Sequence, residues 1–269
     1  MIKNKILRNL FIFIVLAASI TGCSKEDEAL SLLHRSAENF LQADSVMTDI
    51  EVDTLFETVS ETTETKMYFA LENTTDPLSG HAIGYSFFER GGLISGGEVE
   101  IYQVLEDDEN VTYSRVNDKW IKETENDDDK GSEFKSEFLD PDDKPDKFTL
   151  KEESVNINGL ESYELVGHMS GKDIMNIFDV RAVNELSGIE DIDMKELGRS
   201  KIPVLIYIYK DSELPAKIYV DMTDVLDNIY KEMDENTTVS NFTISIEYDN
   251  YNSIEPILVP EEVKKEIDE

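Results

Sequence analysis

Hydrophobic positions along the chain first change period near residue 45. Before that point Ala29, Leu30, Leu33, Ala37, Phe40 and Leu41 recur at three- and four-residue intervals. This is the spacing of one apolar stripe on a helix, and it predicts an amphipathic helix over about 26–44. Ser24 followed by Glu26 and Asp27 supplies a capping residue and an acidic first turn. After it the period falls to two, the period of strands with one buried face. Ile50, Val52 and Phe56 open the alternation; Met67, Phe69 and Leu71 continue it, then Ile83, Tyr85 and Phe87, then Val99, Ile101 and Leu105. Asn158-Gly159 between Leu150 and Tyr163 is a strong hairpin signal. Residues 204–209 are apolar on both faces, and Phe242, Ile244, Ile246 and Tyr248 mark a last long strand. About ten strands in one antiparallel meander follow from this pattern.

Three segments break the alternation. Residues 171–197 and 223–234 carry helical spacing, the first interrupted by Gly188 and the second placing Val225, Leu226, Ile229, Tyr230 and Met233 on one face. Residues 106–146 hold 16 acidic and 6 basic side chains. The second half of that stretch, 123–146, reads as an acidic surface loop. Gly91 to Gly97, with Ser95 inside it, reads as a flexible hairpin connection.

The N-terminus changes the picture most. Lys3, Lys5 and Arg8 precede an unbroken run of apolar and small residues over 10–20, and Ile20-Thr21-Gly22-Cys23 follows. A basic start, a short apolar run and a small-residue cut site form a secretory signal peptide over 1–22. The apolar run, about eleven residues, is too short to span a bilayer, which needs roughly 20. The cysteine at the cut resembles the lipobox of bacterial lipoproteins. That resemblance implies diacylglycerylation of the Cys23 thiol and cleavage of the Gly22–Cys23 bond. The mature chain is then held on the outer face of the cytoplasmic membrane by its lipid, two acyl chains being enough for a stable anchor. Cys23 is the only cysteine, so no disulfide is available within the chain.

Charge narrows the partners. The full chain has a net charge of -34, and without residues 1–22 it has 22 basic and 59 acidic residues, a net charge of -37. Phosphate recognition needs clustered Lys and Arg, so nucleic acid is excluded as a partner. The same charge repels an anionic bilayer surface. Hydrophobic residues are nonetheless 40% of the chain, enough for a globular core.

Candidate chemistry is sparse. Asn126, Asp128, Gly131 and Glu137 match positions one, three, six and twelve of a calcium loop. Lys130 stands where an oxygen ligand is needed and Glu133 where an apolar residue is, so a solvated acidic loop is the better reading and no metal is expected. His34, His81 and His168 lie in no short catalytic motif, and Ser95 lacks the Gly-x-Ser-x-Gly spacing of a nucleophile elbow. No phosphate loop occurs, so no cofactor is expected and the chain is read as a non-enzyme.

A signal peptide with lipobox, one amphipathic helix, then a long antiparallel run with a helical insertion resembles the LolA/LppX-like superfamily of envelope lipoproteins. The matching pieces are the helix entering a strand at 29–56, Asn117 to Trp120, Asn158-Gly159-Leu160 to Tyr163, and Gly167 with Ser170-Gly171-Lys172. Leu214-Pro215-Ala216-Lys217-Ile218 and Tyr248 to Val263 complete the set. The resemblance implies an α+β fold in one domain over 23–269. A curled antiparallel sheet forms an open half-barrel, with the N-terminal amphipathic helix and helical insertions covering its concave face. It also implies that a lipid or acyl chain occupies the concavity. The aromatic strands then place Met67, Phe69, Tyr85, Phe87, Tyr207 and Tyr209 in one shared cavity. The chain is thus read as a lipid-anchored carrier or sensor of a hydrophobic ligand. The competing reading is a protein-interaction module with a filled core and no ligand.

Overall fold

The computed structural model describes residues 25–107, 109–116, 118–124, 148–177 and 194–268. Helix α1 covers Lys25–Leu41. The strands follow as β1 Ser45–Glu57, β2 Thr62–Thr75, β3 Leu78–Arg90, β4 Leu93–Glu106, β5 Glu109–Val116 and β6 Lys119–Thr124. Then come β7 Thr149–Leu150, β8 Val155–Ile157 and β9 Leu160–Ser170, helices α2 Gly171–Ile177 and α3 Met194–Arg199, and strands β10 Lys201–Tyr209 and β11 Pro215–Asp221. Helix α4 Thr223–Met233, strand β12 Thr238–Asp249 and helix α5 Glu261–Asp268 end the chain.

All twelve strands join one antiparallel sheet in the order β6-β5-β4-β3-β2-β1-β12-β11-β10-β9-β7, with β8 paired to β9. The expected single meander is therefore two. One runs outward from β1 to β6 and the other from β12 back to β7, and they meet where the first strand pairs with the last. That ladder sets Ile50 against Ile246 and Val52 against Ile244, with a bulge after Leu55. β-branched side chains recur along both strands, which suits a twice-flanked central pair.

Antiparallel partners share a face, so the registers assign every side chain. The inner face carries Val52, Phe56, Met67, Val204, Ile206, Ile218, Ile244 and Ile246, all buried. Helices α1 and α4 cover it, contributing Leu33 and Phe40 from the first and Leu226 and Ile229 from the second. Phe40 sits edge-on to Tyr248 with ring centroids 5.6 Å apart, and Phe56 sits edge-on to Tyr230 at the same distance. Outside this contact Arg35 on α1 donates to both carboxylate oxygens of Glu213 at the β10–β11 turn, at 2.7 and 2.9 Å.

A second, smaller cluster lies on the opposite, outer face. Tyr102, Val104, Val111 and Tyr113 are buried there beneath Val259 and Val263 of the C-terminal segment, with Trp120 and Ile257 packed at its border. Glu106 fastens this helix to the sheet. It accepts from Lys122 Nζ at 2.9 Å and from Tyr113 OH at 2.9 Å, and it pairs with Lys264 Nζ of α5 at 3.1 Å.

Several expectations are corrected. The sheet is neither closed nor strongly curled. Its two apolar surfaces lie on opposite faces at opposite ends, so curling toward the inner face would serve only one of them. Gly91 to Gly97 is not one loose connection: Gly91 and Gly92 alone make the turn, both at positive φ, and the strand resumes at Leu93. Helix 223–234 forms as α4; of 171–197, the ends form α2 and α3 and the rest lies outside the described residues. Glu123 and Thr124, assigned to the acidic loop, are the end of β6, paired with Thr112 and Val111. Helix α5 was not foreseen. The signal peptide, Cys23 and the calcium-loop outline at 126–137 lie outside the described residues.

The Glu106 contacts give a pH dependence. Hydrogen bonds from Lys122, then Lys264 and Tyr113, hold its carboxyl down from 4.5 to about 2. A lowered carboxylate pKa stabilises the fold above the unfolded value, and that stabilisation is lost as pH falls from about 4.5 through about 2. Glu106→Gln is therefore expected to lower the urea midpoint at pH 6, and its deficit relative to the parent should shrink as pH falls toward 2. A deficit that stays constant with pH would remove Glu106 from this role.

Candidate functional site

The apolar inner face continues past its helical cover. On β2 the inner-face positions beyond Met67 are Phe69 and Leu71, and on β4 they are Val99 and Ile101. Between them β3 presents Gly80, Ala82, Gly84 and Ser86, and then Phe88. Phe69, Leu71, Phe88, Val99 and Ile101 are half-buried, in contrast to the buried side chains under α1 and α4. The result is a shallow apolar shelf whose floor is a strand of small side chains. Phe69 lies over that floor: a Cβ on Gly84 would stand 2.3 Å from Phe69 Cδ1 and 2.9 Å from the Tyr68 carbonyl oxygen. The glycine is required by this close approach and not by its φ.

Where the shelf meets the covered core, hydroxyls enter the apolar face. Thr54 and Thr65 are cross-strand partners on the inner face, buried, and neither Oγ1 has a hydrogen-bond partner among the described residues. Tyr230 OH is in the same condition, and burial raises its pKa. A buried hydroxyl left unpaired costs about 1–3 kcal/mol. The boundary is thus polar enough to meet a water or the polar end of a ligand.

The six residues expected to share a cavity do not share a face. Met67 is buried in the inner core and Phe69 packs at its margin. Tyr85 pairs with Tyr68, and Phe87 with Lys66, both on the outer face. Tyr85 is exposed, its ring centroid 5.5 Å from that of Tyr68. Tyr68 OH donates to Asp49 at 2.7 Å, and this bond, with burial, pushes its pKa up to about 12. Tyr207 pairs with Lys217 on the outer face. Tyr209 is buried, but it pairs with Ser162 and donates its hydroxyl to the Tyr248 carbonyl at 2.9 Å. Ile83, Tyr85 and Phe87 instead look outward, because the inner positions between Gly80 and Ser86 are kept small beneath Phe69 and only Phe88 beyond them is bulky.

Beside α1 a cleft of about 270 Å³ is lined by Glu28, Leu150, Lys151, Glu152, Glu153, Ser154, Tyr163 and Lys210. Its charged, open lining does not suit an acyl chain. Among the described residues no group of His, Cys, Asp or Glu is arranged to hold a metal ion, and no helix is long and apolar enough to cross a membrane.

A model of a family of unknown function, DUF6612, matches residues 28–268. No curated protein sequence matches the chain. Among solved structures, the lipoprotein LppX of Mycobacterium tuberculosis is similar, at 12% identity and a TM-score of 0.48, with 87% of this chain and 99% of that chain covered. LprF of Mycobacterium bovis is similar at 12% identity and a TM-score of 0.46, over 87% of this chain and 96% of that one.

The Phe69–Gly84 approach is testable by a double-mutant cycle. Gly84→Ala should cost about 1–3 kcal/mol by overpacking, measured by urea unfolding. In a Phe69→Ala background the same change should cost less by at least about 0.5 kcal/mol, since residues in contact do not add. Equal costs in both backgrounds would show that the ring does not occupy this floor.

Proposed function

We propose that this chain, which belongs to the DUF6612 family, is a lipid-anchored protein of the outer face of the cytoplasmic membrane. In this reading it binds a hydrophobic ligand on the β2–β4 shelf, as a carrier or sensor and not as an enzyme. The observation that carries the reading is the continuation of the inner apolar face, half-buried, beyond its helices. An acyl chain burying about 300 Å² there would gain on the order of 7 kcal/mol at about 25 cal/mol/Å². Ordering costs reduce that to weak or micromolar-class binding. The shelf replaces the six-residue cavity: Phe69 stays, Met67 belongs to the buried core beside it, Leu71, Phe88, Val99 and Ile101 join it, and Tyr85, Phe87, Tyr207 and Tyr209 leave it. The filled core beneath α1 and α4 favours the second reading, an envelope protein-interaction module.

Binding of a fluorescent fatty acid to the mature chain, displaced by unlabelled lipid, decides between them. Val99→Asp should weaken binding at least tenfold while shifting the unfolding midpoint little, because Val99 is half-buried. Phe87→Asp, on the outer face, should leave binding unchanged. Met67→Asp buries an unpaired charge and should unfold the domain. No saturable binding by the parent would sink the ligand reading and leave the interaction module.

The anchor is tested separately. Cys23→Ala should abolish palmitate labelling in cells and release the protein from the membrane fraction. Equal labelling of mutant and parent would remove the anchor from the proposal.

A further inference from the structure

The β3–β4 hairpin reaches further than the strand beside it. β4 begins at Leu93, but β5 pairs only with residues 101–106 of it. Residues 93–98 are therefore bonded to β3 on one side, and no described strand pairs with them on the other. All six are exposed, Leu93 at 78% and Ile94 at 69%.

The direction of the backbone groups follows from the two turns. Gly91-Gly92 is a two-residue turn that closes on the Arg90–Leu93 pair, so the odd residues of β4 exchange hydrogen bonds with β3. The β4–β5 turn closes on the Glu106–Glu109 pair, so the even residues bond outward. Both turns give the same parity. Ile94, Gly96 and Glu98 thus present N–H and C=O groups to solvent at the two-residue repeat of a ladder. Among the described residues none of these groups has a partner.

Exposed edges are ordinarily blunted by Lys, Pro or a bulge. This one has none over 93–98, and Ser95, Gly96 and Gly97 leave the backbone open to close approach. Six residues give about 20 Å of ladder. The charge beside it is acidic. Glu98, Glu100 and Glu89 lie on the outer face of the hairpin, with Glu98 opposite Tyr85 and Glu89 opposite Ile94. The nearby cations Arg90 and Arg115 are engaged by Glu61 and Asp118. A second copy of this chain would bring the same carboxylates and another strongly negative domain to the edge. An extended segment with basic side chains at alternate positions would meet Glu98 on one face, with Glu89 and Glu100 beside it, and Leu93 on the other.

We propose that the 93–98 edge of β4 is a docking site at which a cationic, extended segment of a partner protein adds as a further strand. The site is separate from the inner-face shelf and does not depend on the ligand reading.

The test uses full-length protein in nanodiscs of zwitterionic lipid at 0.15 M salt. The probes are a ten-residue peptide alternating lysine and valine and the same peptide N-methylated at alternate backbone amides. The unmethylated peptide should bind, and it should slow hydrogen exchange at the amides of Ile94, Gly96 and Glu98. Methylation should weaken binding at least tenfold with the protein unaltered. Ile94→Pro, which removes one outward N–H from an edge position, should do the same without a change of net charge. Equal affinity for both peptides would show attraction by charge alone and overturn the proposal. So would absence of binding, or exchange protection elsewhere only. Self-association of the parent that Ile94→Pro abolishes would assign the edge to a second copy and overturn it too.

Discussion

Everything in this structure hangs on the ladder between β1 and β12. It joins two meanders that are otherwise covalently distant, and it sets the face on which every other strand places its side chains. Because Ile50 meets Ile246 and Val52 meets Ile244, the inner face of both halves is one continuous apolar surface. A slip of one residue would turn all of it to the outer side. The Thr54–Phe242 pair and the bulge after Leu55 sit at the end of this ladder, where α4 packs on β12 through Leu226, Ile229 and Tyr230. Register and helix packing therefore support each other at one place.

The two cores divide the sheet between opposite faces. α1 and α4 cover the inner face around β12, and the C-terminal segment with α5 covers the outer face over β4–β6. The strands between the two covers have neither face fully sheltered. That is where the apolar shelf lies inside and where Tyr68, Tyr85 and Ile83 lie outside. Such a zone is what a binding protein needs: rigid, because it is laddered on both sides, yet incompletely packed. The shelf and the open edge of β4 belong to the same few strands.

Much of this was legible in the sequence. Alternation found nearly every strand, and the 3.6 period found α1 and α4 to within a few residues, because those segments bury one side against a large surface. Parity was not legible for β3, since Ile83, Tyr85 and Phe87 alternate as cleanly as a core strand and only the glycine beneath Phe69 shows which set faces in. α5 was hidden for a different reason: its apolar positions are few, and its place depends on an ion pair with Glu106, more than 150 residues earlier in the chain. The central pairing of β1 with β12 was equally invisible, because nothing local distinguishes a strand that pairs with its neighbour from one that waits for the other end of the chain.

That wait has a kinetic meaning. Closing a hairpin of a few residues costs little chain entropy, whereas joining β1 to β12 closes a loop of about 180 residues, a difference of roughly 3 kcal/mol on the logarithmic scale of loop closure. The β1–β6 meander is built from local contacts, whereas the inner core needs β12, which follows every other described strand in the chain. Until Thr238–Asp249 is available, β1 has an open edge and α1 has half a surface to lie on. A chain built this way stays short of its native core until that strand is delivered, however complete the rest of the sheet has become.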